Sequence, residues 1–261
     1  MKICIAPIDI VFANPEENLL TAAHTLNQVE RDTDVVVLPE LFTTGFIKDE
    51  PTAAEKAERN DGHTVETLQR WAQFFGFALC GSFLATDRPG HLANRTFFVE
   101  PGGDVTFSDK RHLFPLSTED KVYAAATAEP PIVRFRGWNF KTIVCFDLRF
   151  PVWCRNREGA DYDVLLVPAN WPDSRQDQFK LLLAARAVEN QAYVVGANRT
   201  GEDDYGHYPK GISCVFDNLG HPIHETRRDG LLYALLDKKE LETGRKRFPA
   251  WQAADHWQIE L

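Results

Sequence analysis

Apolar positions along the chain keep two rhythms that take turns. Short β-branched runs such as "KICIAPI" (2–8) and "DVVVLPE" (34–40) read as strands, the second stopped by Pro39. Between them, Asn14 offers an N-cap, Pro15 suits the first helical position and Glu17 the third, so a helix is predicted to about residue 31. Leu19, Ala23, Leu26 and Val29 or Glu30 follow its 3.6-residue spacing. A second amphipathic helix is predicted over 63–76, with Val65, Leu68, Ala72 and Phe75 on one side and Gly76 at its end.

Beyond it the rhythm is mostly that of strands. "FALCGSFLAT" (77–86) and "RTFFVEP" (95–101), joined by the turn-rich 87–94, read as a hairpin, and "VTFSDK" (105–110) follows. "PIVRF" (131–135) and "FKTIVCF" (140–146) flank the turn "RGWN" as another hairpin. A short helix from Pro151 to Gly159, the strand "DVLLVPAN" (163–170), a long helix over 174–191 capped by Asp173, and the strand "AYVVGANRT" (192–200) come next. "GISCVFD", "HPIHET" and "LLYALLD", over 211–237, read as a closing run of antiparallel strands. The tail 245–261 carries Trp251 and Trp257 without clear periodicity.

Strands mixed with four helices, joined partly by crossovers and partly by hairpins, predict a layered α/β protein with at least one mixed sheet. Two sheets packed face to face with helices outside suit the element lengths. With 261 residues, no Gly/Ser- or Pro-rich tract, no repeat and no charge block, the chain reads as one domain, 1–261, whose tail 245–261 packs on the domain or at a subunit interface.

Charge and cysteine usage narrow the function. A formal charge of −9 argues against nucleic acid or an anionic membrane surface as partner, while leaving room for a local cationic pocket. The N-terminus reads as a strand rather than a signal peptide, and no apolar run approaches the roughly 20 residues of a membrane helix. Five scattered cysteines without a C-x-x-C pair fit a reducing, cytoplasmic setting and argue against a disulfide framework or a zinc site.

Three strands end abruptly in polar or reactive residues: Glu40 after "VVVLP", Cys145 after "KTIV", and Asn170 with Trp171 after "VLLVPA". In open α/β sheets the carboxyl ends of strands line a crevice where ligands collect. A nucleophilic thiol needs a base or a cation. None of the eight histidines declares itself as that base from local context, whereas Glu40 and Lys110 are well placed. Asp147 and Arg149 read as a structural ion pair. A redox role for Cys145 would call for a resolving thiol, and Cys154 is its only sequence neighbour.

"LPELFTTGF" (38–46), "DKRHLF" (109–114) and "CFDLRFP" (145–151) together resemble the three catalytic segments of the nitrilase superfamily, the carbon–nitrogen hydrolases. "ANWP" (169–172) and the stretch 181–201 match further segments in the family's order. The resemblance implies an α-β-β-α sandwich of two mixed sheets, with Glu40 as general base, Lys110 as cationic stabiliser, Cys145 as nucleophile and Glu119 as a second glutamate positioning substrate and base. Just beyond Glu119, "AAAT" (124–127) departs from the small-residue pair ending in glycine that many relatives carry.

Phe42, Phe46, Phe114, Phe146 and Trp171 are candidate pocket residues. No metal and no cofactor is implied, and the family's habit implies a homo-oligomer, a dimer or larger. The segments look most like the omega-amidase branch, which hydrolyses the terminal amide of 2-oxoglutaramate and related dicarboxylate monoamides. Such a small-molecule amide carries a far carboxylate, for which Arg111, Arg149, Arg175 and Lys210 are candidates. A nitrilase or carbamoylase shares the same three residues, and a binding protein of the same fold is the non-catalytic rival.

Overall fold

The computed structural model describes the chain except Glu158, Ala160, Arg228, His256, Leu261 and the side chain of Trp251. Fourteen strands are formed among the described residues. In chain order they are β1 (Lys2–Ile5), β2 (Val35–Val37), β3 (Ala78–Arg88), β4 (His91–Val99), β5 (Val105–Asp109), β6 (Val133–Phe135) and β7 (Trp138–Thr142). After them come β8 (Val164–Ala169), β9 (Tyr193–Asn198), β10 (Gly201–Asp203), β11 (Gly206–Tyr208), β12 (Cys214–Phe216), β13 (Glu225–Thr226) and β14 (Leu232–Leu235). The helices are α1 (Pro15–Gln28), α2 (Glu50–Lys56), α3 (His63–Phe75), α4 (Glu119–Val122), α5 (Pro151–Cys154), α6 (Gln176–Asn190) and α7 (Lys238–Arg247).

Two mixed sheets carry the fold, in the strand orders β13-β14-β1-β2-β3-β4-β5 and β12-β9-β8-β7-β6; β10 and β11 form a separate hairpin. Strands β1, β2 and β3 run parallel, as do β7, β8 and β9, so the crossovers between them carry helices. Alternation along each strand sorts side chains into layers. Ile3, Ile5, Val35, Val37 and Phe98 of the first sheet meet Phe140, Val164, Leu166, Val195 and Val215 of the second in the central core. The residues between them face outward: Cys4, Val36 and Leu79 pack under α1 and α3, while Leu165, Val167 and Val194 pack under α5 and α6. The result is the α-β-β-α sandwich. Gly196 permits a close approach of α6 to the second sheet, since a Cβ there would lie 2.4 Å from Leu183 Cδ1.

Local expectations fared unevenly. Asn14 Oδ1 accepts from the Glu17 N–H (3.3 Å), but α1 ends at Gln28, and Ala22 rather than Ala23 faces the core. α3 and its buried face fall where periodicity put them, ending on Gly76 in the left-handed region. Residues 87–94 are mostly strand rather than loop: β3 and β4 pair out to Arg88 and His91, because burying Leu92, Ala93 and Asn94 outweighs their turn propensity. The closing run divides, β12 joining the second sheet and β13 and β14 the first. α2 and α7 are helices where none was predicted. The tail lies along the second-sheet side, with Ile259 packed on the outer core and Arg157 over the Trp257 ring at 4.9 Å. His256 and the side chain of Trp251 lie outside the described residues. No helix among the described residues is long and apolar enough to cross a membrane.

Candidate active site

Glu40, Lys110, Glu119 and Cys145 come from four separate segments and meet at the floor of one cavity. Glu40 sits just past β2, in a turn whose next residue, Leu41, takes φ +45°. Lys110 follows β5 directly, and its backbone N–H donates to Asn94 O (2.9 Å). Glu119 opens α4. Cys145 was expected at a strand end; instead β7 stops at Thr142 and Cys145 opens a 3-10 turn, Cys145–Arg149, with φ +42°. A non-glycine residue in that region is strained, and here the strain turns the thiol into the cavity.

The charged groups are tightly interlocked. Lys110 Nζ donates to Glu40 Oε1 (2.9 Å) and to both oxygens of Glu119 (2.8 and 2.7 Å). Glu40 Oε1 also accepts from Asn94 Nδ2 (2.8 Å), and its Oε2 from the Asn170 N–H (2.9 Å). Glu119 Oε2 accepts from the Phe114 N–H (2.7 Å). Lys110 is 2% and Glu119 1% exposed, so these charges are stabilised by each other rather than by water.

Burial by itself lowers the Lys110 pKa, but the carboxylates of Glu119 and Glu40 overcome it and raise the pKa above the ordinary lysine value. Burial raises the Glu119 pKa; Lys110 opposes and Glu40 reinforces that shift. The Cys145 thiol is pushed well above its ordinary value, first by burial and then by Glu40, against the pull of Lys110 and the Asn170 N–H. At neutral pH this cysteine therefore rests as a thiol rather than a standing thiolate.

The cavity encloses about 210 Å³. Phe46, Phe114, Phe146 and Trp171 line it as expected, and so do Arg149 and Arg175. Three expectations fail. Phe42 is fully buried in the outer core, edge-on to Phe97 at 5.8 Å, because its side chain points under the first sheet. Arg111 turns away and donates to Ala126 O (2.9 Å). Lys210 is exposed and outside the lining. The anticipated Asp147–Arg149 pair is not formed either. Asp147 Oδ1 instead takes the His112 N–H and lies 2.8 Å from His112 Nδ1, while Oδ2 accepts from the Val144 N–H (3.0 Å). This carboxylate thus joins the segment after Lys110 to the turn that bears Cys145.

Other contributors were not foreseen. Asn94, fully buried on β4, orients Glu40, and Asn198 holds the Asn170-Trp171 turn through both its amide atoms (2.6 and 2.9 Å to the Trp171 backbone). The hairpin β10–β11 supplies Asp203, Tyr205 and Tyr208 as a further wall. Cys154, buried, donates its thiol to Asp147 O (3.4 Å). No cluster of His, Cys, Asp and Glu suited to a metal ion occurs among the described residues.

Residues 2–246 match the carbon-nitrogen hydrolase family. The chain belongs to that family. This carbon–nitrogen hydrolase is 40% identical to the omega-amidase YafV of Yersinia enterocolitica over 98% of its own length and 97% of the relative's. It is 30% identical to the 2-oxoglutaramate amidase of Bacillus subtilis, over 93% of each chain. Its fold is similar to that of XC1258 from Xanthomonas campestris, described as a CN-hydrolase superfamily protein with an arsenic adduct in the active site, with a TM-score of 0.91, 34% identity and coverage of 99% and 98%. The omega-amidase likeness read from the motifs thus extends over nearly the whole chain.

Proposed function

We propose that this hydrolase cleaves the terminal amide of a small dicarboxylate monoamide such as 2-oxoglutaramate, through a thioester on Cys145, releasing ammonia and the free acid. The observation that carries the proposal is the meeting of Glu40, Lys110 and Glu119 around Cys145, held with a positive φ at the floor of a small cavity. The names borne by the similar proteins support the substrate class.

As Sγ attacks the amide carbon, its proton passes to the Glu40 carboxylate, so sulfur becomes anionic only along the reaction path. The oxyanion that forms is stabilised by the Lys110 ammonium and by the Phe146 N–H, which sits in the first turn of its 3-10 helix and so has no intrahelical acceptor. One such donor typically contributes about 3 kcal/mol to the barrier. Glu40 returns its proton to nitrogen, the C–N bond breaks and ammonia leaves. Water then attacks the thioester while Glu40 takes its proton. As the C–S bond breaks, that proton returns to Sγ. Glu119, bonded to Lys110 through both oxygens, keeps the ammonium fixed through the cycle. The buried, unpartnered Asn170 Oδ1 on the cavity wall suits the substrate's amide N–H.

The test is ammonia release from 2-oxoglutaramate, glutamine, asparagine and a simple nitrile, with Cys145→Ala alongside. The account expects strong, cysteine-dependent turnover of 2-oxoglutaramate. Cysteine-dependent turnover confined to the nitrile would overturn it.

A further inference from the structure

We infer that Arg149, Arg175 and the Tyr205 hydroxyl form a carboxylate-binding subsite in the same cavity, which selects substrates bearing an anionic group remote from the scissile amide. The inference rests on the proposed amidase reading and adds the residues that would impose its substrate preference.

Both guanidiniums line the cavity on aromatic faces: Arg149 lies 5.0 Å from the Trp171 ring centre and Arg175 5.5 Å from that of Phe114. A cation held over an aromatic face gains a modest attraction and keeps N–H groups available to donate. Arg175 is further tied down, since its carbonyl accepts from Trp171 Nε1 (2.8 Å). Among the described residues neither arginine has a carboxylate partner. Arg149 is exposed and Arg175 half-buried, so the two cations face the cavity from its water-accessible side without a carboxylate of the protein between them, and an anionic group of a ligand would fit there.

The rest of the lining is arranged so that its own acids do not supply one. Asp203 is occupied: Oδ2 accepts from Arg199 Nη1 (2.7 Å), and Oδ1 from the Tyr205 N–H (2.8 Å) and the Tyr208 hydroxyl (3.0 Å). Arg199, 2% exposed, thereby neutralises the hairpin wall and fixes its shape. At the floor, two carboxylates share the single ammonium of Lys110, which leaves the nucleophile's surroundings formally negative. A substrate carboxylate is therefore repelled from Cys145 and drawn to the arginines, and the neutral amide is presented to sulfur.

Tyr205 completes the set. Its hydroxyl is buried with no hydrogen-bond partner, although its ring is held edge-on to Phe46 (5.3 Å) and beneath Lys48 (4.1 Å). A buried, unsatisfied donor on a cavity wall is uncommon, and a ligand oxygen would satisfy it.

The test compares kcat/KM for succinamate with that for butyramide, which is similar in length but lacks the carboxylate, in the natural protein and in Arg149→Gln, Arg175→Gln and Tyr205→Phe. The natural protein should favour succinamate. Each arginine variant should lower the succinamate-to-butyramide ratio about 10- to 100-fold, mainly through KM, and Tyr205→Phe about 3- to 10-fold. Lysine at either arginine position should restore part of the ratio. A natural preference for succinamate that survives both arginine substitutions overturns the subsite and leaves the amidase reading standing. Equal loss on both substrates in the Gln and Lys variants alike overturns it as damage to the centre. A natural protein that favours butyramide overturns the subsite and the dicarboxylate reading together.

Discussion

Strand β8 has a buried ion-pair cluster at each end, and the two are built for opposite purposes. Before its first residue, Asp163 is 2% exposed and over-provided with donors: Lys238 pairs with Oδ2, Arg245 Nη1 with Oδ1 (2.9 Å), and the Asn139 N–H donates to Oδ2 (2.9 Å). After its last residue, the Asn170 N–H reaches Glu40, where two carboxylates divide one ammonium beside a thiol. Burial and ion pairing are common to both ends. The difference is balance: at Asp163 one carboxylate faces two cations, whereas at Glu40 two carboxylates face one cation and the cluster opens on a cavity. Buried charge marks a reactive site only when a nucleophile and free space accompany an unsettled balance.

Substitutions should separate the two ends. Cys145→Ala should cost at least about 10⁴-fold in kcat while leaving the urea midpoint close to that of the natural protein, because only a small buried thiol is removed. Glu40→Gln keeps the shape but removes the proposed base, and about 10²- to 10⁴-fold should be lost from kcat. Asp163→Asn should do the reverse: about 2 kcal/mol of stability lost in urea titration, with kcat/KM within a few-fold, since it removes the charge of a buried carboxylate that ties β8 to α7, outside the lining of the cavity. Large losses of activity in Asp163→Asn with little change in stability would erase the distinction.

A smaller effect follows from titration. Burial pushes the Cys80 and Cys154 thiols up to about 12, from an ordinary value near 9. Above pH 9 the unfolded chain loses these protons before the folded one, so stability present below pH 9 should fall progressively toward pH 12. Thermal melts across that range check it. The Cys145 thiol is raised too, so its alkylation by iodoacetamide should keep rising with pH through 9; a plateau below pH 7 would indicate a standing thiolate instead.

Much of this was legible in the residues, unevenly. Apolar runs that break into reactive polarity announced Glu40 and Cys145, a local pattern that survives although Cys145 lies past the strand in a 3-10 turn, and the ordered motifs supplied Lys110 and Glu119. Helices α1 and α3 were readable from their caps and periodicity. Asn94 and Asn198 were not, since a lone polar residue in a strand gains meaning only when the sheet places it opposite Glu40 or Trp171. The hairpin 201–208 gave no sign of facing the cavity, because its approach depends on a buried Arg199 contacting residues distant in sequence, such as Ile10 through its carbonyl (3.0 Å). Phe42 and Arg111 were misjudged for a related reason: adjacency to a reactive residue does not set the direction of a side chain. Asp147 found His112 rather than Arg149, since the 3-10 turn aims neighbouring side chains to different sides.

The most direct test of the central claim, an acyl group carried on Cys145, is trapping with hydroxylamine during turnover of 2-oxoglutaramate. The account predicts a hydroxamate that grows with hydroxylamine concentration at the expense of free acid, with ammonia release undiminished and every product absent in Cys145→Ala. Ammonia and free acid formed with no hydroxamate at any concentration, or persisting in Cys145→Ala, would contradict it by showing that water attacks the amide without a thioester.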